Sequence, residues 1–327
     1  MRVTVGLDVG GTKILAVAAS VEHPLEIRGT VQHPTPDDDP VALLAALEES
    51  VAQVLAEAGN GTDGDAEPVA ILLGMPGFLG LDGIARQAPN LPAAIGLDVR
   101  GPLAERFGVP VFADNDANCA AWAAHRVDAP DAPFLVAVTF GTGIGGGLVL
   151  GGQLVRGAHG FAGEPGHMIV DVDGWECVCG QHGCWEMYAS GNGLGRLARR
   201  AVEEGRAPSV LAAAGDGEVD GRLVGRLVGE GDPEASVVMD EYAGWIAVGL
   251  ANLVNLLDPA VIVLGGGVVD LGDTLMDRVR AALGRYPTIT AGRTVDVRPS
   301  TLGSRAGGVG AALLAAERLT GERNGHR

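Results

Sequence analysis

Val3, Val5 and Leu7 alternate with Thr4 and Gly6, and after Gly10-Gly11-Thr12 the chain resumes as Ile14-Leu15-Ala16-Val17. Alternation interrupted by a glycine turn predicts a β-hairpin. The same pattern returns with Leu135-Val136-Ala137-Val138, a turn from Gly141 to Gly147, and Leu148-Val149-Leu150. Two strand–glycine turn–strand units about 130 residues apart predict a duplicated architecture, each copy heading its own domain. Between them, Val41, Leu44, Leu47, Val51, Val54 and Leu55 recur at helical spacing and predict a surface helix from Pro40 to Ala58. A polar loop over residues 59–65 follows, then a buried strand from Val69 ending at Gly74. Val109 to Phe112 reads as a strand and Ala117 to Ala124 as a helix. Glu241 to Leu257 reads as a helix stopped by Asp258-Pro259, followed by a strand from Val261 to Leu264 and the turn Gly265-Gly266-Gly267. A last helix, Ala306 to Leu319, is expected to pack back on the first domain.

The chain has 327 residues, a length that predicts two domains. Its 47% hydrophobic content suffices for sizeable cores, and 23 Lys+Arg against 41 Asp+Glu leave a net charge of −18 with no basic patch. That balance argues against nucleic acid and anionic membranes as partners. No apolar run reaches a bilayer span, and Met1 opens directly into a strand pattern rather than a signal peptide, so a cytoplasmic location is expected.

The glycine turns are candidate phosphate cradles, because without a Cβ the backbone N–H groups approach an anion closely. Gly141-Thr142-Gly143-Ile144-Gly145-Gly146 fits G-x-G-x-x-G in letters, but a strand follows where a dinucleotide fold needs a helix. A P-loop needs Lys followed by Ser or Thr, and the only lysine, Lys13, precedes Ile14. Asp8, just before the first turn, can hold a phosphate-bound Mg²⁺ through water. Lys13 can lean on a phosphate.

His167, Cys177, Cys179 and Cys184 space as H-x9-C-x-C-x4-C, one nitrogen and three sulfurs suited to tetrahedral Zn²⁺. A closed four-ligand shell leaves no position for substrate, so the site is expected to be structural. Cys119 stands apart and reads as a small buried hydrophobe.

Asp8-Val9-Gly10-Gly11-Thr12-Lys13, Gly141-Thr142-Gly143-Ile144-Gly145-Gly146 and Leu264-Gly265-Gly266-Gly267 resemble the phosphate-1, phosphate-2 and adenosine loops of the actin-like sugar kinase superfamily. Gly163-Glu164-Pro165-Gly166-His167 and the segment from Cys177 to Glu186 resemble the signature of the ROK family of repressors, open reading frames and kinases. The resemblance spans nearly the whole chain. It implies an α/β, two-domain, actin-like ATPase (ribonuclease H-like) sugar kinase fold with a central cleft. The small domain is expected over residues 1–117, with the C-terminal helix over about 305–327, and the large domain over 118–304.

Phosphoryl transfer to a hydroxyl needs a carboxylate to take the proton. Asp116 is the candidate, and in the ROK family the Asp of the string matched by Asn115-Asp116-Ala117-Asn118 has this role. Asp116 equally fits N-capping of the helix that follows, and both can hold at once. Asp114 receives no assignment. The resemblance further implies sugar contacts at Asn90, Asn115, Asp116, Glu164, His167 and Glu186, with His167 serving zinc through one ring nitrogen and sugar through the other. Nucleotide contacts are implied at Asp8, Gly10, Gly11, Thr12, Lys13, Gly141, Thr142, Gly143, Gly265 and Gly266. The expected reaction is ATP- and Mg²⁺-dependent phosphorylation of glucose at O6, in a homodimer or homotetramer. N-acetylglucosamine, N-acetylmannosamine and fructose are the alternative acceptors, and polyphosphate an alternative donor. With the first strand beginning at Val3 and a net charge of −18, the family's DNA-binding domain is not expected here. An ATP-driven binding machine would not need the Asn115-Asp116 and Glu164/His167/Glu186 sets.

Overall fold

In the computed structural model, which describes residues 1–60, 65–286 and 295–321, the opening alternation forms β1 (Arg2–Val9) and β2 (Lys13–Ser20). They pair antiparallel with Val9 opposite Ile14, so Gly10 to Thr12 is the tight turn of a hairpin. β3 (Ile27–Pro34) extends it antiparallel to β2. Helix α1 (Pro40–Gly59) starts where the Asp39 carboxylate accepts from Val41 N, with proline at the first helical position. Its buried stripe is Leu43, Ala46, Leu47, Ser50, Val51, Val54 and Ala58, whereas Val41 is 77% exposed. The stripe is thus phased two residues later at its start than the apolar spacing suggests, because Val41 sits on the capping turn. Residues 61–64 of the polar loop lie outside the described residues.

β4 (Glu67–Met75) runs parallel to β1. After the short hairpin β5 (Phe78–Leu79) and β6 (Ala85–Gln87), α2 (Arg100–Phe107) leads to β7 (Val111–Asn115), parallel to β4. β7 starts at Val111 rather than Val109, since Pro110 has no N–H to give the ladder. The sheet order is β3-β2-β1-β4-β7. α3 (Asp116–Ala123) follows β7 without a loop, and its N-cap is Asn115, whose side chain accepts from Asn118 N. Asp116 is therefore the first helical residue and not the cap.

β8 (Phe134–Phe140), β9 (Ile144–Leu150) and β10 (Gln153–Val155) form the second glycine-turned hairpin and its extension. The turn is shorter than the Gly141–Gly147 run, because β9 already begins at Ile144 and Gly145 to Gly147 lie within it. A Cβ at Gly147 would run into the Ala121 methyl of α3, which is why a strand position carries glycine there. Helices α4 (Glu186–Ala189), α5 (Gly191–Glu203), α6 (Pro208–Ala214) and α7 (Gly221–Gly229) precede the 25-residue α8 (Pro233–Leu257). α8 starts eight residues before Glu241, because Asp232 accepts from Glu234 N and Ala235 N and Pro233 supplies the first helical residue. It ends at Asp258, in the left-handed region with φ 44°. Tyr242, Ile246, Leu250 and Val254 of α8 are buried, so this long apolar helix is a core element. β11 (Val261–Gly265), α9 (Asp273–Leu283), β12 (Asp296–Pro299) and α10 (Ala306–Thr320) complete the chain. The second sheet is ordered β10-β9-β8-β11-β12.

Two compact units divide the chain: Met1–Leu135 with Gly147–Gly163 and Thr301–Arg327, and Val136–Gly146 with Glu164–Ser300. α10 packs in the first unit on β1 and α3, and residues 322–327 lie outside the described residues. Glycines let backbones meet there: a Cβ at Gly310 would overlap the Cys119 carbonyl, and one at Gly307 would press on the Asp8 carboxylate. Because the obstruction at Gly310 is backbone, Gly310→Ala is expected to lower stability by about 2–3 kcal/mol. A shift of the urea midpoint would read this, and an unchanged midpoint would refute the packing argument.

Candidate active site

β1, β4 and β7 carry their chemistry at one end. Asp8 stands opposite Gly74, and Gly74 opposite Asp114, at the carboxyl ends of three neighbouring parallel or hairpin strands, the place where open α/β sheets bind ligands. A Cβ at Gly74 would lie 3.3 Å from Asp116 Cα and 3.2 Å from Cys119 Sγ, so glycine at the middle strand keeps the first turn of α3 close to the sheet. Asp116 Oδ1 accepts from Ala117 N at 2.8 Å. Burial, and then the charge of Asp8, push the Asp116 carboxyl up to about 7. Burial pushes Asp8 up to about 6, with Lys13 opposing it.

The Gly10–Thr12 turn is closed by Gly10 N donating to Lys13 O at 2.9 Å. Asn90 lies against it, for a Cβ at Gly11 would overlap the Asn90 carbonyl. Asn115 gives its side-chain amide to Gly77 O at 3.1 Å while its Oδ1 caps α3. The first unit therefore gathers Asp8, Gly10, Gly11, Thr12, Lys13, Asn90, Asn115 and Asp116 around the ends of β1 and β7. Lys13 and Asn90 are exposed.

In the second unit, Gly141 N donates to Gly143 O at 3.0 Å and Gly191 N to Gly141 O at 2.8 Å, which fixes the Gly141-Thr142-Gly143 turn to the start of α5. Gly266, with φ 84°, packs on the Phe140 backbone, so the Gly265-Gly266 turn after β11 meets the end of β8. Gly191 itself is absent from the glycine loops read along the sequence. Its signal was Ser190, whose hydroxyl accepts from Gly193 N and caps α5.

Beside these turns lies the thiol cluster. The ligand atoms of His167, Cys177, Cys179 and Cys184 all lie within 4.8 Å of one another. Cys179 Sγ and Cys184 Sγ are 3.5 Å apart, and Cys177 Sγ is 3.9 Å from His167 Nδ1. A tetrahedral Zn²⁺ with Zn–S of about 2.3 Å holds its ligand atoms about 3.5–3.8 Å apart, so the four side chains fit that ion, with Nδ1 as the histidine donor. Zinc bound here supplies a crosslink and no open coordination position. Behind the cluster, Tyr188 is stacked between Trp175 at 4.7 Å and Trp245 at 4.2 Å, and its hydroxyl donates to Asp171 at 2.9 Å. Sequence reasoning missed this aromatic support; three of the chain's four tryptophans, 175, 185 and 245, fall around it.

Glu186 begins α4 as its position suggests, but its carboxylate faces inward. Oε1 accepts from Cys177 Sγ at 3.0 Å and lies 3.7 Å from His167 Nδ1, while Oε2 is 3.4 Å from Ile144 N. A Cβ at Gly143 would lie 2.5 Å from Oε2. Glu186 therefore touches both the thiol cluster and the second glycine turn. Glu164 precedes the short turn Pro165–His167, its carbonyl accepting from His167 N at 3.2 Å.

Glycine turns at the carboxyl ends of strands in two α/β units, a pair of acids at the ends of β1 and β7 and a His/Cys₃ knuckle define an actin-like ATPase fold of the sugar kinase type. The ROK family profile matches residues 4–318, and the chain belongs to that family. It is 37% identical to a glucokinase of Streptomyces coelicolor over 97% of this chain and 98% of that enzyme. An N-acetyl-D-glucosamine kinase of Shigella flexneri is 33% identical over 89% of this chain and 94% of its own length. Among solved structures, a ROK family glucokinase from Streptomyces griseus in complex with glucose and AMPPNP superposes with a TM-score of 0.79 at 35% identity, covering 96% of this chain and 99% of that one.

Proposed function

We propose that this chain transfers the γ-phosphoryl group of Mg·ATP to O6 of glucose, with Asp116 as general base. One observation carries the assignment of roles: Asp116 stands directly after the asparagine cap of α3, at the carboxyl end of β7, where burial and the charge of Asp8 push its carboxyl up to about 7. With Oδ1 engaged by Ala117 N, Oδ2 is the oxygen left to take the sugar proton. Asp8 is the residue to hold the magnesium through water, and the backbone N–H groups of the Gly10-Gly11-Thr12 and Gly141-Thr142-Gly143 turns are the donors for phosphate oxygens. The turn at Gly265-Gly266 is assigned to adenosine. Asn90, Asn115, Glu164, His167 and Glu186 offer the mixed donors and acceptors that a ring of hydroxyls requires.

The relatives at 37% and 33% identity leave two acceptor classes to compare. Coupled assay of ADP release with Mg·ATP across glucose, N-acetylglucosamine, N-acetylmannosamine, mannose and fructose, with product mass, tests the ranking. Glucose is expected to give the highest kcat/KM, and an N-acetylated sugar in first place would replace it as substrate. The reading includes a homodimer or homotetramer, supported by the exposed Ile169, Val172 and Val178 near the knuckle and testable by light scattering. It also includes a cytoplasmic location, where thiol ligands stay reduced.

The acid pair sets the expected pH dependence. A base with a proton affinity near 7 is protonated below that pH and idle, so kcat/KM for glucose should rise about tenfold per pH unit up to pH 7 and level off above it. A profile flat from pH 5.5 to 9 would place the base elsewhere.

A further inference from the structure

We propose that Asp114 is a positioning residue: clamped by Arg156 and Asn118, it fixes the turn that aims Asp116 and acts on phosphoryl transfer through Asp116 alone. This rests on the reading of Asp116 as the base. Asp114 is 5% exposed and Arg156 8%. Asp114 Oδ1 accepts from Asn115 N at 3.0 Å and from Asn118 Nδ2 at 3.1 Å. Its Oδ2 accepts from Arg156 Nε at 2.7 Å, and Nη2 of the same guanidinium lies 2.6 Å from that oxygen as an ion pair. Arg318 of α10 lies 3.6 Å from the same oxygen, its guanidinium over the Phe112 ring. The carboxylate thereby holds residues 115 and 118 on either side of Asp116, whose own carboxylate bonds within that turn, to the Ala117 and Asp116 backbone N–H groups. The direction of Asp116 is set by that turn.

Energetics favour this reading over simple stabilisation. Burying a charged pair gains little or nothing over an apolar pair of the same volume. An apolar pair, however, could not accept from Asn115 N and Asn118 Nδ2, so it would leave the turn unpinned. Arg156 is also tied down, its carbonyl accepting from Ala162 N at 3.0 Å, which gives the clamp a fixed anchor.

The test is a double-mutant cycle of Asp114→Asn and Asp116→Asn, with kcat measured on folded protein and glucose affinity by calorimetry. Asp114→Asn is expected to lower kcat by about 10–100-fold, the scale of a misplaced catalytic group, with glucose affinity within about threefold. In the Asp116→Asn background the same change should alter kcat by less than about twofold, since a residue acting through Asp116 has nothing left to aim. Wild-type kcat in Asp114→Asn, a loss confined to glucose affinity, or an equal loss in both backgrounds would each overturn the proposal. Near-normal turnover of Asp116→Asn alone would remove the general-base reading and the clamp with it, and that single variant is read first. Should Asp114→Asn fail to fold, Arg156→Lys, which keeps the cation and loses the fork, enters the same cycle with the same expected pattern.

Discussion

Asp116→Asn should abolish most turnover and at the same time make the protein more stable at alkaline pH. Loss of a general base lowers kcat by about 10²–10⁴-fold. The amide keeps an oxygen for Ala117 N, so the turn and the sugar contacts survive, and glucose affinity by calorimetry should change little. The stability effect follows from linkage. The folded state raises Asp116 from 3.8 to about 7, so it binds this proton more tightly than the unfolded chain does. That contribution is complete below the unfolded value and is lost as pH climbs through about 7, where the half-buried carboxylate ionises beside Asp8. Removing the charge should therefore stabilise by on the order of 1–3 kcal/mol at pH 8 and by almost nothing near pH 4. Melting curves at both pH values, beside kcat, check the two halves together. A variant that loses activity and also melts lower at pH 8 would mean that Asp116 is held by partners rather than strained by burial.

How much of this was legible in the sequence depended on how far apart the cooperating residues lie. The thiol cluster was read from spacing because its four ligands fall within one short segment, 167 to 184, whose local turns bring them together. Both hairpins were legible for the same reason, being alternation and glycine next to each other. The Asp8–Asp116 pairing was not, since it needs the register of two strands against β4 and the small residue Gly74 between them. Asp114 read as one acid among several, because the group that makes it distinctive, Arg156, arrives 42 positions later and Arg318 on the last helix. The inward turn of Glu186 was hidden likewise, as its bond to Ile144 N spans 42 positions. Local chemistry was visible along the chain, and chemistry assembled across strands required the fold.

Cys179→Ser should release the zinc and carry the effect to the substrate. Of the three cysteines, Cys179 is the exposed one, so its replacement leaves no buried hole and tests ligation rather than packing. A hydroxyl is a poor zinc ligand beside a thiolate, and a site reduced to two sulfurs and one nitrogen loses the closed shell that makes structural zinc tight. Zinc content by mass spectrometry should fall from one per chain to less than about a tenth, a loss of at least tenfold. The consequences run through two contacts. His167, freed of its metal, loses the constraint on its ring, and Glu186, which lies 3.7 Å from His167 Nδ1, also borders the second glycine turn through Ile144 N. KM for glucose is therefore expected to rise by about 10–100-fold, the range for removing a group that orients a ligand, and KM for ATP to rise less. The Trp175–Tyr188–Trp245 stack should outlast the metal, because it is joined to α8 rather than to the sulfurs, so the knuckle loosens without the unit unfolding. Chelation of the wild type at neutral pH should reproduce the KM change, and re-addition of Zn²⁺ should reverse it. Full zinc content with an unchanged KM in Cys179→Ser would separate the cluster from the sugar site and leave His167 with a single role.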